Sequence, residues 1–140
     1  PHIAKAIIEA GYNYDKEYIF EHFIGNDCPA YIPSVQIDTK EGVKLLKKHG
    51  AVVVLAHPVL LKKSSFQDVL ALGFDGLEGI YPMNSDEDTE KFLSYAKEHN
   101  LITSCGSDSH GGEDDLKHGS LGSMEMDEEW LTKFLTKLKA

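Results

Sequence analysis

Twice along this chain, an amphipathic helical stretch with basic residues near its end runs into an apolar segment and then into side chains that bind metals or move protons. In the first unit, Lys47-Lys48-His49-Gly50 leads into Ala51-Val52-Val53-Val54-Leu55-Ala56 and then His57-Pro58. In the second, Lys97-Glu98-His99-Asn100 leads into Leu101-Ile102-Thr103-Ser104-Cys105 and then Gly106-Ser107-Asp108-Ser109-His110-Gly111. A run without polar alternation suits a strand covered on both faces, as the strands of parallel sheets are. Helix followed by strand, repeated at this spacing, predicts an α/β fold with parallel pairing. His57 from one unit, and Asp108 and His110 from the other, then reach the same side of the sheet. That side, the carboxyl ends of the strands, is where open α/β sheets and β/α barrels carry their sites.

Periodicity and punctuation place the other elements. Ile3 and Ile7 share a helical face over residues 3–10, with Gly11 as the stop. A second helix starts at Asp15, carries Tyr18, Ile19, Phe23 and Ile24, and stops at Gly25. Two prolines and several turn formers make 26–33 a loop and a boundary. Asp38 and Glu41 are spaced like a capping box, opening a helix with Val43, Leu45 and Leu46 on its buried face and Gly50 at its end. Residues 66–72 form a short helix ended by Gly73, and 74–82 a strand weakened by its glycines. Ser85 caps a helix through His99 with Phe92, Leu93 and Ala96 inward. The stretch 111–118 is polar and loop-like, and Leu121–Met126 is expected as a last short strand. Asp127 opens a terminal helix that buries Trp130, Leu131, Phe134, Leu135 and Leu138.

Composition bounds the function. With 140 residues, 41% of them hydrophobic and 26% charged, the chain can bury a core. A net charge of −9, fourteen lysines and no arginine argue against a broad surface that tracks nucleic-acid phosphates. A phosphate at a metal site is compatible with that charge, because a bound cation inverts the local field. Cys28 and Cys105 have neither metal-pair spacing nor disulfide-scaffold density, which predicts reduced thiols and a cytoplasmic setting. No apolar run approaches the ~20 residues that span a bilayer, so no membrane partner is expected. The chain opens Pro1-His2 without methionine and is expected to be a piece of a longer protein.

Imidazole and carboxylate at strand ends suit zinc, manganese or iron sites that activate water. Taken alone, His57 serves equally well as a packed histidine bonded to a carbonyl. Asp108 and His110, two apart in a glycine-flanked loop, point more firmly to a metal. Glu78 lies inside an apolar strand of the same set, where a carboxylate is costly unless paired or metal-bound, so it is a candidate for the site or its supporting shell. His118, in a polar loop, is a candidate substrate contact. His49 and His99 sit at helix ends, where an imidazole complements the dipole. His22 lies on a helix as a surface or packing residue, and Glu113, Asp114 and Asp115 read as a solvated charge run.

Pro1-His2-Ile3-Ala4, Glu9-Ala10-Gly11, Ala30-Tyr31-Ile32-Pro33, Leu55-Ala56-His57-Pro58, Asp75-Gly76-Leu77-Glu78, Tyr81-Pro82 and the Gly106–Gly111 loop occur in an order that resembles the later part of the PHP (polymerase and histidinol phosphatase) family. The nearest branch is its bacterial stand-alone set of metal-dependent phosphoesterases. The resemblance implies the C-terminal part of a distorted seven-stranded β/α barrel over 34–140, preceded by part of a helical, lid-like insertion over 1–33. It implies that His57, Asp108 and His110 ligate metals, with up to three divalent ions (manganese, zinc or iron) in the full-length protein, and that His2 contacts substrate. The substrates it implies are phosphate esters of nucleotides or short oligonucleotides, attacked by a water whose pKa the cluster lowers. The family's opening His-x-His and the further His and Glu ligands after it have no counterpart here, so the isolated chain is expected to be inactive and prone to pair with another copy through open sheet edges. Two other functions fit the same residues: a catalytically silent PHP-like structural or binding domain, and a metal-dependent amidohydrolase-like hydrolase.

Overall fold

Val54–Leu55 (β1), Gly76–Ile80 (β2) and Ile102–Cys105 (β3) form a parallel sheet in the order β1-β2-β3. They belong to a computed structural model that describes residues 2–33, 35–110 and 118–139. The chain divides into two compact units, Pro1–Gln36 and Ile37–Ala140.

The first unit is helical. It holds α1 (His2–Glu9) and α2 (Lys16–Ile19), the latter continued by a π-helical turn over Phe20–Ile24. Asp15 caps α2 by accepting the Tyr18 amide at 2.7 Å. Ala4 and Ile19 are its buried residues among those described. Stacked rings, Tyr14 on Tyr18 and Tyr18 on His22, run along the outside, and His22 Nδ1 lies 3.1 Å from the Tyr18 carbonyl oxygen.

In the second unit, Asp38 caps α3 (Thr39–Lys48) by accepting the Lys40 and Glu41 amides, and Gly50 takes the left-handed conformation at φ 77° that the end of this helix requires. Val43 is buried as expected, whereas Leu45 and Leu46 are 51% and 50% exposed, because nothing in the described unit covers that side of α3. The strand expected over Val52–Leu55 shortens to two residues. Val53 is held instead by Asp75, whose carboxylate accepts the Val53 amide at 2.9 Å while the Asp75 amide donates to the Val53 carbonyl at 2.8 Å.

The glycines of β2 mark close approach. A Cβ on Gly76 would run into the Ile102 carbonyl of β3. Gly79 is the extra residue of a bulge, between the pairs Glu78↔Ser104 and Ile80↔Cys105. The buried Thr103 hydroxyl completes that bulge, accepting the Gly79 amide at 3.0 Å and donating to the Leu77 carbonyl at 3.1 Å.

The core is Leu55 and Leu77 of the sheet with Phe66 and Leu70 of α4 (Phe66–Leu70) and Phe92 and Ala96 of α5 (Asp86–Glu98). Ser85 and Asp88 form a complete capping box at the start of α5. His49 and His99 sit at the C-caps of α3 and α5, and His99 Nδ1 lies 3.0 Å from the Tyr95 carbonyl oxygen.

α6 (Glu128–Lys139) packs against β3 and brings Trp130 to the core. Its other apolar residues depart from expectation: Phe134 is half-buried, and Leu131, Leu135 and Leu138 are exposed. Leu121–Met126 is not a strand. Leu121 is 91% exposed, Gly122 turns the chain at φ 78°, and no strand pairs with the segment among the described residues. The loop expected over 111–118, with Glu113, Asp114 and Asp115, lies outside the described residues except for His118.

Candidate metal centre

Each strand of the sheet ends in a polar side chain on the same side. After β1, His57 adopts a left-handed conformation, φ 32° and ψ 61°, and Pro58 starts a 3-10 turn through Leu60. A non-glycine residue in that region stores strain, which the surrounding bonds must hold. Glu78 supplies one such bond: its Oε2 accepts the His57 amide at 2.8 Å. Its other oxygen lies against Gly106, where a Cβ would come within 2.9 Å of it. The carboxylate expected to be costly inside an apolar strand thus accepts a backbone amide from the loop that follows β1.

After β2 comes Tyr81, only 2% exposed. Its hydroxyl donates to Asp108 Oδ2 at 3.1 Å and lies 3.5 Å from Met83 Sδ, and its ring centroid is 5.8 Å from that of His57. After β3, Gly106 donates its amide to the Ile80 carbonyl at 3.2 Å, and Asp108 takes a left-handed φ of 52°. The chain then returns at His118, whose Nε2 lies 3.5 Å from Asp108 Oδ2 and whose ring centroid is 4.5 Å from that of His110. One donor atom from each of Asp108, His110 and His118 lies within 4.8 Å of the others. Two imidazoles and a carboxylate are a donor set that zinc, manganese or iron accept, so the residues present fit a divalent ion.

Asp108 and His110 thus come together, and His118 joins them as a donor. His57 reaches the same end of the sheet beside Tyr81 but is not one of the three grouped donors. His2 is the exposed first residue of α1 in the other unit. Burial pushes the Cys105 thiol above its ordinary range, and the Glu78 carboxylate adds to the effect. Sequence reasoning quoted Tyr81-Pro82 as a motif but gave Tyr81 no role in the site. The available signal was its position, first after a strand whose neighbours end in His57 and Asp108.

No family model matches the chain. Among solved structures it is similar to a protein of Bifidobacterium adolescentis provisionally described as a metal-dependent phosphoesterase, at 31% identity and a TM-score of 0.69, covering 98% of this chain and 49% of that one. It is also similar to an amidohydrolase of Chromobacterium violaceum solved with sulfate and no metal, at 26% identity and a TM-score of 0.59, covering 89% of this chain and 44% of that one. Among curated proteins it is 29% identical over 76 residues to a phosphoribosyl 1,2-cyclic phosphate 1,2-diphosphodiesterase of Eggerthella lenta, covering 54% of this chain and 29% of the relative. It is 23% identical over 115 residues to a 5'-3' exoribonuclease of Haemophilus influenzae, covering 78% of this chain and 42% of the relative. The chain therefore spans less than half the length of each of these proteins. Its α/β architecture with a small parallel sheet is similar to that of the Bifidobacterium adolescentis protein.

Proposed function

We propose that the whole protein is a metal-dependent phosphoesterase of the PHP type, hydrolysing phosphate esters of nucleotides or short oligonucleotides. This chain would supply the C-terminal part of its β/α barrel and part of a helical insertion. The observation that carries the reading is the convergence of Asp108, His110 and His118, with His57 nearby, at the carboxyl ends of parallel strands. The names of the phosphodiesterase and exoribonuclease relatives support the substrate class.

The chain's own residues would do three things. Asp108 and His110 hold metal, with His57 serving a further ion of a cluster of up to three. Tyr81 fixes the Asp108 carboxylate, and Glu78 fixes the His57 loop. His118 and, from the helical unit, His2 are the candidate contacts to substrate. Manganese, zinc or iron bound there would supply Lewis acidity and neutralise charge developing on the phosphoryl group. This chain has no arginine, so its own contacts to phosphate would come from imidazoles and lysines, and any arginine contact would lie upstream. A cytoplasmic setting belongs to the same reading. No described helix is long and apolar enough to cross a membrane.

The test is elemental analysis of the whole protein beside this chain after equilibration with manganese or zinc, followed by assay on a nucleotide phosphomonoester. More than one ion per whole protein, a smaller share in this chain, and phosphate release lost together with metal in Asp108→Ala are the expected results. Full metal content in Asp108→Ala would remove that residue from the ligand set. Absence of metal in the whole protein would favour a silent binding domain. The likeness to the amidohydrolase favours a second reading, C–N bond hydrolysis at the same centre. Turnover of an amide but not of a phosphomonoester would select it.

A further inference from the structure

We propose that Met83 is a modification site: oxidation of its thioether to the sulfoxide by a peroxide draws the Tyr81 hydroxyl away from Asp108 and lowers the affinity of the centre for its ion. It rests on the metal-dependent reading above for Asp108 being a ligand. The Tyr81 hydroxyl stands between the two groups, 3.1 Å from Asp108 Oδ2 and 3.5 Å from Met83 Sδ. A hydroxyl has a single proton to donate, and a thioether is a weak acceptor, so in the reduced protein that proton goes to the carboxylate.

The turn after β2 builds this placement. The Asn84 amide donates to the Tyr81 carbonyl at 3.0 Å, closing a tight turn over residues 81–84, and the Asn84 side-chain amide ties that turn to the Gly79 carbonyl at 3.0 Å. Met83 is thereby folded back onto the hydroxyl of the buried tyrosine two residues before it. Met83 itself is 42% exposed, so a small oxidant can reach its sulfur. The chain has two other methionines, Met124 and Met126, and both are half-buried.

In the oxidation, a sulfur lone pair takes an oxygen from hydrogen peroxide, the O–O bond breaks and water leaves, so the thioether gives up an electron pair and the peroxide is reduced. The product carries a polar oxygen on a flexible side chain, able to turn toward the hydroxyl beside it. In the metal-free protein the ionised carboxylate keeps the Tyr81 proton, because hydrogen bonds to charged acceptors are the stronger ones. Once the carboxylate shares its charge with a cation, the sulfoxide competes on nearer terms. Oxidation therefore weakens the loaded centre selectively. Methionine sulfoxide reductases reverse the change, with thiols supplying the electron pair and the oxygen leaving as water.

The experiment treats the whole metal-free protein with hydrogen peroxide and then with a thiol reductant, which clears reversible oxidation of cysteines and leaves sulfoxides. Peptide mass spectrometry follows the gain of an oxygen at each methionine, and titration with Zn²⁺ or Mn²⁺ gives the metal affinity. Met83 should oxidise faster than Met124 and Met126. The oxidised protein should bind metal about 10-fold more weakly, the lower end of what loss of an outer-shell partner costs, and the reductases should restore it. Met83→Leu, a substitution close in volume, should bind metal as the reduced wild type does and keep that affinity after peroxide. Tyr81→Phe should lose no further affinity on oxidation, a result that general damage by the sulfoxide would not give. Unchanged affinity in protein fully oxidised at Met83, or an equal loss in Met83→Leu, would overturn the proposal and leave the phosphoesterase reading standing. Wild-type protein that takes up no metal would overturn both.

Discussion

Asp108 illustrates how much one side chain in this fold depends on its neighbours. Its left-handed backbone is unfavourable for a residue with a Cβ, and its carboxylate would swing freely without a partner. The Tyr81 hydroxyl, on a ring that is almost wholly buried, removes that freedom. Tyr81→Phe keeps the packing and deletes the donor. It should cost about 0.5–1.5 kcal/mol of stability, the usual net worth of one hydrogen bond. Its larger effect should be on metal, with affinity for zinc or manganese falling about 10-fold, because ligand orientation is set by such outer partners. Isothermal titration of the whole protein checks this, and wild-type affinity in Tyr81→Phe would mean that Asp108 is held by other bonds. Glu78 acts similarly on His57, except that its partner is an amide. A carboxylate can sit in an apolar strand when a strained loop needs a fixed acceptor.

Elements here are tied by side chains as much as by ladders, and Asp75 is the clearest case. It precedes β2, accepts the Val53 amide ahead of β1, and pairs with Lys47 of α3 and Lys137 of α6, each at 3.1 Å. Burial alone would raise its carboxyl pKa, but the Val53 amide and the two lysines outweigh burial and hold it below the ordinary value. A depressed carboxyl pKa adds stability above the unfolded value, about 4, and loses it as pH falls from there through the lower native value. Asp75→Ala should therefore cost about 1.5–3 kcal/mol at pH 7, the range for hydrogen bonds to a charged group. Its stability should also fall less steeply than wild type below pH 4. Urea denaturation at a series of pH values reads both, and parallel curves would show that Asp75 makes no native ion pair. Local signals were legible in the sequence: Asp38, Ser85 and Gly50 announce the ends of α3 and α5 through contacts within a few residues. What was not legible depends on distant partners. β1 is shortened by an aspartate some twenty residues away, and the glycines that weaken β2 on paper are required there by the Ile102 carbonyl and the Thr103 hydroxyl. Leu121–Met126, expected as a strand, carries a glycine and no β-branched residue, and among the described residues no strand lies beside it.

At the scale of the whole molecule, the second unit leaves much of its apolar surface uncovered. Among the described residues β1 and β3 each have one ladder partner, while Leu45 and Leu46 on α3 and Leu131, Leu135 and Leu138 on α6 face outward. Lys47 of α3 and Lys137 of α6 meet on the Asp75 carboxylate, which ties both helices to one point. Sequence patterning expected these leucines on buried faces, and in the described unit they are exposed. Burying one leucine fully is worth about 1.5–3 kcal/mol, so even partial cover of several favours association in the isolated chain. The net charge of −9 opposes it, and salt weakens that opposition by shortening the reach of charge to about 10 Å at 0.1 M. The isolated chain should therefore self-associate, more strongly as salt rises from 20 to 300 mM or thereabouts, a direction opposite to that of an assembly held by ion pairs. Sedimentation velocity over a concentration series would show the average mass climbing above that of the monomer, and Leu131→Glu with Leu135→Glu should return it to monomer. A wild-type chain that stays monomeric at every concentration and salt would show that the exposed leucines are too dispersed to bind, leaving the open sheet edges without an associating role as well.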